Sequence, residues 1–239
     1  MAHFYLNELL EPGDTATILG LEARHAVTVS RLEVGEEVSI GNGLGLIQRG
    51  PITVATPAEL TIAVEQTTVV ERPAQALVLA QALAKGDRDE LAIQAATELG
   101  VDAVVPWASA RSIIKWEGAK VAKGLDRWTA IVREATKQSI RAWIPDVLDL
   151  ATTKQLARLA EETRMLVLEP TATTSLVDLE LDERDITLVV GPEGGITSAE
   201  LETLIYSGAE LVQLGTNVLR TSTAGPAAIA VLNAKLGRW

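Results

Sequence analysis

The 239-residue sequence predicts an α/β protein with a mainly parallel sheet, preceded by a small β-rich domain. Three observations carry this. Residues 1–72 consist of short β-type runs cut by glycine and proline. From residue 73 onward, continuous apolar runs alternate with segments of helical period. Hydrophobic residues make up 47% of the chain, enough to fill a core in each part.

In the first part, "EEVSIGNG" and "LTIAVEQTTVV" alternate in part, and Gly41-Asn42-Gly43 is a hairpin-type turn. Pro12-Gly13, Gly35, Gly50-Pro51 and Pro57 supply further breaks. The pattern suits a small barrel or sandwich that ends at Glu71-Arg72-Pro73. The run Ala76–Leu83 then suits a strand buried on both faces. Asp87 to Glu90 is similar to a capping box, Leu91, Ala95 and Leu99 recur at helical spacing, and Gly100 fits the position just past a helix end. "DAVVPW" is a second strand. Residues 120–141 are predicted as one amphipathic helix. Trp128, Ile131, Val132 and Ala135 form one face; Arg133, Lys137 and Arg141 form a stripe on another. Pro145 ends it.

"RMLVLEP", "ITLVVGPEGG" and "ELVQLG" are three further strands. Thr197-x-x-Glu200 opens a helix between the last two, with Leu201, Leu204 and Ile205 facing inward and Gly208 closing it. The final helix, about Thr223–Leu236, is apolar on nearly every side, as expected of one buried in the domain or against a partner subunit.

Composition narrows the chemistry. Without cysteine there are no disulfides, thiolate metal sites or cysteine nucleophiles, which is compatible with a reducing cytoplasm. Two histidines, His3 and His25, cannot build a His-rich metal centre, and no G-x-S-x-G or Walker loop occurs. Gly41, Gly43 and Gly45 lack both dinucleotide-loop spacing and a following helix. The start "MAHFYLNELLEPGD" is not that of a signal peptide, and no apolar run is long enough to span a bilayer. A net charge of -11 argues against a polyanionic partner. Its distribution argues the other way. Residues 1–72 hold ten acids against four bases, whereas 111–141 hold eight bases against three acids, net +5.

Ligands of open α/β sheets bind beyond the carboxyl ends of the strands. Three loops are expected there: Leu168-Glu169-Pro170, Gly191 to Gly195, and Leu214 to Thr223. Their glycines let main chain approach a ligand closely. "VVGPEGGITSAE" followed by "LVQLGTNVLRTSTAG" resembles the C-terminal signature of the SPOUT class of RNA methyltransferases. Within that class the match is to the RsmE-type family, the 16S ribosomal RNA uridine-N3 methyltransferases. "KGDRDELAIQAATELGV", "PWASARS" and "RWTAIVREATKQSIR" are similar to its middle motifs, and "HAVTVSRLEVGEEV" to its N-terminal domain.

The resemblance implies a PUA-like β-barrel over 1–72 and a SPOUT-type domain with a C-terminal deep trefoil knot over 73–239. It implies S-adenosylmethionine (SAM) bound bent in the knot, no metal, a cytoplasmic homodimer, and 16S ribosomal RNA of the 30S subunit as partner. By motif, Leu168, Glu169, Gly191, Glu193, Gly194, Gly195, Leu214, Gly215, Leu219 and Arg220 would meet SAM. Arg31, Lys85, Arg88, Arg111, Arg133 and Arg141 would meet RNA. Arg220 would be the catalytic cation beside the methyl, or else a structural arginine bonding carbonyls of the knot. Glu193 would bond backbone or touch the ligand. Two departures stand out. No arginine precedes Arg24, where the family has one near its N-terminus. Ser222 replaces a family glutamate, as expected of a helix N-cap.

Overall fold

A computed structural model describes residues 3–239. They form two compact units. The first comprises the chain up to Pro73 together with Thr136–Ile144, and the second comprises Ala74–Ala135 with Pro145–Trp239.

In the first unit the elements are β1 (His3–Leu6), β2 (Thr15–Leu19), α1 (Gly20–Arg24) running into a π-helical turn (His25–Val29), β3 (Glu37–Gly41), β4 (Leu46–Ala55), β5 (Glu59–Ala63) and β6 (Gln66–Val69). The sheet order is β1-β3-β4-β5-β2, with β6 beside β4. Tyr5, Ile18, Val38, Ile40, Leu60 and Ile62 fill its core. The Gly41–Gly43 turn forms as expected: Asn42 Oδ1 accepts from the N–H groups of Leu44 and Leu46 at 2.8 and 3.0 Å. The expected strand over 60–70 breaks in two, because Val64 and Glu65 leave the β5 ladder to donate to Asp14 and Arg49 carbonyls.

The second unit contains β7 (Leu77–Ala82), α2 (Arg88–Glu98), β8 (Ala103–Ala108), α3 (Ala119–Gln138), β9 (Asp146–Val147), β10 (Ala151–Thr152), α4 (Thr153–Glu162), β11 (Arg164–Leu168), β12 (Thr174–Ser175), β13 (Ile186–Val190), α5 (Ser198–Tyr206), β14 (Glu210–Gln213) and α6 (Thr221–Lys235). The last turn of α3 belongs to the first unit. The sheet runs β10-β8-β7-β13-β11-β14-β12, with β9 beside β8, and every pairing in it is parallel. β7 and β13 are central and almost wholly buried, as their unbroken apolar runs require.

Several expectations are corrected. The stripe Leu91, Ala95, Leu99 is not the buried face of α2: Leu91 is 47% exposed, while Ala92, Ile93, Ala96 and Thr97 are buried. No capping box forms at Asp87. Asp89 instead turns inward and accepts from the N–H groups of Ala84 and Glu90. Helix α3 stops at Gln138, so Arg141 lies past its end and the arginine stripe is broken. Ile140, at φ 54°, makes the stop, with Arg141 N–H closing back on the Thr136 carbonyl. Lys137 is buried and pairs with Glu22 at 3.1 Å. Ile205 is 47% exposed; Leu204 alone of the expected α5 trio is fully buried.

The box Thr197–Glu200 forms as expected. A second one, Thr152–Gln155, opens α4, a helix with no counterpart in the sequence expectations. Gly100 and Gly208 close their helices at φ 101° and 100°. Helix α6 starts at Thr221, with Arg220 at its N-cap, so Ser222 is inside the first turn and does not cap. α6 packs on α2, β7 and β13, and a Cβ at Gly225 would meet Leu79 at 3.1 Å.

Candidate functional site

Strands β13, β11 and β14 are neighbours in parallel register, with Leu168 opposite both Val190 and Val212. Their carboxyl ends therefore coincide, and the loops that leave them converge. Those loops wall a cavity of about 380 Å³, within the range of small-molecule sites. Leu168, Glu169, Gly191, Glu193, Gly195, Leu214, Gly215, Leu219 and Arg220 all line it, together with Arg88, Thr221 and Ala224. Of the residues expected at SAM, Gly194 alone does not; it faces Arg111, whose Cβ would lie 3.2 Å from a Cβ at 194.

The glycines keep this wall thin. A Cβ at Gly191 would strike Ile196 at 2.7 Å, and Gly195 and Gly215 have φ 72° and 128°, disfavoured for any side chain. Main-chain groups thus reach the cavity at three places. Thr221 fixes the far side: its hydroxyl donates to the Gly191 carbonyl at 2.8 Å and accepts from buried Gln81 Nε2 at 2.8 Å. Gln81 lies at the end of β7, a contact 140 residues away that no local pattern could reveal.

Two carboxylates brace the Gly191–Thr197 loop. Glu193 Oε1 accepts from Arg88 Nη1 at 2.6 Å and from Lys85 N–H at 3.1 Å. Burial pulls its pKa up, but its own N–H, Arg88 and Lys85 outweigh that and hold it below the usual range. Glu200, only 7% exposed, accepts from Ala110 N–H, Thr153 Oγ1, and both the N–H and Oγ1 of Thr197. These bonds outweigh its burial, and its pKa is lowered too.

The cations expected at RNA are thus placed unequally. Arg88 lines the cavity but is engaged by Glu193, and Arg111 Nη1 donates to the Gly194 carbonyl at 2.9 Å. Both shape the glycine loop. Lys85 uses its main-chain N–H there. Arg31 is exposed, in the other unit, in a left-handed conformation (φ 57°). Arg133 and Arg141 are half-buried. The Arg220 carbonyl accepts from the N–H groups of Thr223 and Ala224, but its guanidinium holds no hydrogen bond or ion pair among the described residues and lies exposed at the cavity wall, which fits a cation kept for a ligand. No cluster of metal-ligating side chains occurs among the described residues.

The cavity suits a nucleoside with a short polar tail: Leu168, Val190 and Leu214 give apolar surface, and Glu169 and Arg220 give opposite charges. Residues 71–233 match the RNA methyltransferase domain family. The chain is 41% identical, over 99% of its length and 92% of the relative's, to the ribosomal RNA small subunit methyltransferase E of Mycobacterium bovis. It is 31% identical to that of Bacillus subtilis, over 94% of this chain and 91% of the relative. A crystal structure of the Neisseria gonorrhoeae ribosomal RNA small subunit methyltransferase E bound to S-adenosylmethionine superposes with TM-score 0.87 at 31% identity, covering 98% of both chains. A methyltransferase of Legionella pneumophila in complex with SAM gives TM-score 0.87 at 29% identity over 98% of both.

Proposed function

The chain belongs to the ribosomal RNA small subunit methyltransferase E family of RNA methyltransferases, and from that premise we propose its reaction in full: SAM-dependent methylation of N3 of one uridine in 16S ribosomal RNA. One observation carries this reading: three loops from adjacent parallel strands, two of them glycine-bearing, wall a single cavity with Arg220 at its edge.

SAM supplies an already activated, sulfonium-bound methyl group. The chain's residues do the rest. Main chain at Gly191, Gly195 and Gly215 offers N–H and C=O groups to an adenine edge, and Leu168, Val190 and Leu214 exclude water around it. The acceptor nitrogen is an imide whose proton must pass to solvent, after which a nitrogen–methyl bond forms as the sulfur–methyl bond breaks and the thioether leaves. Arg220, always protonated, stabilises the anion that proton loss leaves, while fixed loops hold donor and acceptor in line. Arg88 and Arg111, with Lys85, hold the glycine loop and face RNA phosphates at its outer side.

We further propose that the C-terminal segment is a deep trefoil knot. β14 lies beyond β11, yet the chain after it returns past Gly191 to pack α6 on β7 and β13, which supports threading. Residues 1–72 are read as a PUA-like RNA-binding barrel and 73–239 as the SPOUT domain. The side-chain amide of Asn7 reaches the Thr17 carbonyl at 2.8 Å, linking the two end strands β1 and β2 and supporting closure. The protein would act as a homodimer in the cytoplasm, where ribosomal subunits are assembled. No described helix is long and apolar enough to cross a membrane.

The test is methylation of 30S particles and of naked 16S RNA, with the product nucleoside identified by mass spectrometry. N3-methyluridine is expected. A 2′-O-methylated nucleoside would point to a SPOUT enzyme of another RNA position. No product, with SAM binding absent by calorimetry, would point to a non-catalytic assembly factor.

A further inference from the structure

A second cleft, of about 620 Å³, lies within the same unit on the other side of the segment 84–90. Its walls are the first turn of α2, the loop Ile113–Glu117 and the first half of α3. Ile113 and Ile114 line it and are 67% and 38% exposed, two adjacent branched apolar side chains left within reach of solvent. Trp116 lines it too, and its ring is built in: a Cβ at Gly124 would lie 2.5 Å from ring atoms, and Trp128 meets it edge-on at 5.5 Å. Gly124 thus makes room for an aromatic wall.

Charge is layered. Lys115, Lys120 and Lys123 stand exposed at the rim, with Glu117 as the acid among them. Asp89 is 5% exposed, and Glu90 is tied to Arg127 through both oxygens, at 2.7 and 3.1 Å. A phosphate would be repelled by the inner carboxylates and attracted by the rim lysines. A nucleobase, with N–H donors and a flat π-face, matches the inner wall.

The cleft also adjoins the methyl-transfer site along the chain. Arg88 lines the first cavity and Asp89 the second, and consecutive Cα atoms are only about 3.8 Å apart. Arg111, which holds Gly194, lies two residues before Ile113, where that loop begins.

We propose that this cleft is a nucleotide subsite for the substrate RNA. It takes one unpaired base near the target uridine against Trp116, Ile113 and Ile114, with the flanking phosphates on Lys115, Lys120 and Lys123. The proposal rests on the RNA-methylating reading and adds where a neighbouring nucleotide docks.

The experiment compares the full-length protein with the triple variant Lys115→Ala, Lys120→Ala, Lys123→Ala. Turnover on 30S subunits, SAM calorimetry, filter binding of a 16S transcript and solution mass are all measured. The triple variant should raise KM for 30S and weaken transcript binding about tenfold, with kcat and SAM affinity within about twofold. The slope of log affinity against log salt should become shallower by about 2, since three single-strand phosphate contacts are lost. Trp116→Leu should weaken transcript binding by about fivefold or more, and Trp116→Phe should restore most of it. Unchanged transcript affinity and salt slope in the triple variant overturn the proposal. A changed solution mass with RNA affinity intact also overturns it, and makes the cleft a subunit contact. If the parent protein binds the transcript but methylates nothing, the activity reading fails while the binding comparison still decides the subsite.

Discussion

Arg220 and Asp89 show how differently two charged residues can be placed. Arg220 is exposed at the N-cap of α6, at the edge of the SAM-type cavity, its guanidinium without a protein partner among the described residues. Removing it should leave the walls intact and remove charge stabilisation from the transition state. Arg220→Ala is therefore expected to lower kcat about 100-fold while SAM affinity by calorimetry shifts less than about threefold. Equal loss of both would make it structural. Asp89 is the opposite case, a buried carboxyl whose burial, against hydrogen bonds from Ala84 and Glu90, pushes its pKa from 3.8 to about 6. The folded state then holds its proton more tightly than the unfolded chain. The stability this gives is complete below about pH 3.8 and is lost as pH rises through about 6. Asp89→Asn should thus be more stable than the parent at pH 8, by about 2 kcal/mol. The gap should close by pH 4 in urea titrations. The sequence showed Asp89 only as part of a capping pattern; burial, which decides its behaviour, depends on contacts with segments remote in sequence.

At the scale of elements, the loop Gly191–Thr197 is held by carboxylates more than by its glycines. Glu200 receives four hydrogen bonds, from the β8–α3 connection, from the start of α4 and from its own helix cap. Glu200→Gln keeps the shape but turns an acceptor into a donor facing donors. A loss of about 2–3 kcal/mol at pH 7 is expected by urea unfolding. The Glu200 pKa is depressed, so this contribution exists above the unfolded value of 4.5 and fades as pH falls through the lower folded value. The gap between parent and variant should therefore narrow as pH falls below 4.5, and a gap that stays constant down the acid range would refute the account. Half of this was legible in advance: the Thr197–Glu200 box is a local pattern, whereas the bonds to Ala110 and Thr153 are not. The same divide runs through the fold. β7, β8, β11, β13 and β14 announce themselves as apolar runs, and the three loops after β11, β13 and β14 carry glycine or proline. β9, β10 and β12 are two residues each, too short for any periodicity. Helix α3 lies where its period puts it but ends three residues before the expected position 141, because its stop is Ile140 in a left-handed conformation that sequence rules reserve for glycine or asparagine.

On the scale of the whole molecule, the two units are not two stretches of sequence. Thr136–Ile144 is remote from the first 73 residues along the chain but belongs with them. Its contribution is specific. Trp143 Nε1 donates to the Val70 carbonyl at 2.7 Å, and Arg72 stacks over the ring at 4.5 Å. A Cβ at Gly45 would strike that ring at 2.8 Å, and one at Gly43 would strike Ile144 at 2.4 Å. Those glycines exist to admit the returning segment. Buried Lys137 adds an ion pair to Glu22, so deleting the segment would remove that pair as well as uncover the glycine-lined face. A fragment cut at the apparent linker, residues 1–73, should therefore lack a cooperative thermal transition. A fragment carrying 136–144 on a flexible linker should regain one. In the full chain, Trp143→Ala should cost about 3 kcal/mol. Cooperative melting of 1–73 alone, within a few degrees of the extended fragment, would show that the first unit is complete without the return.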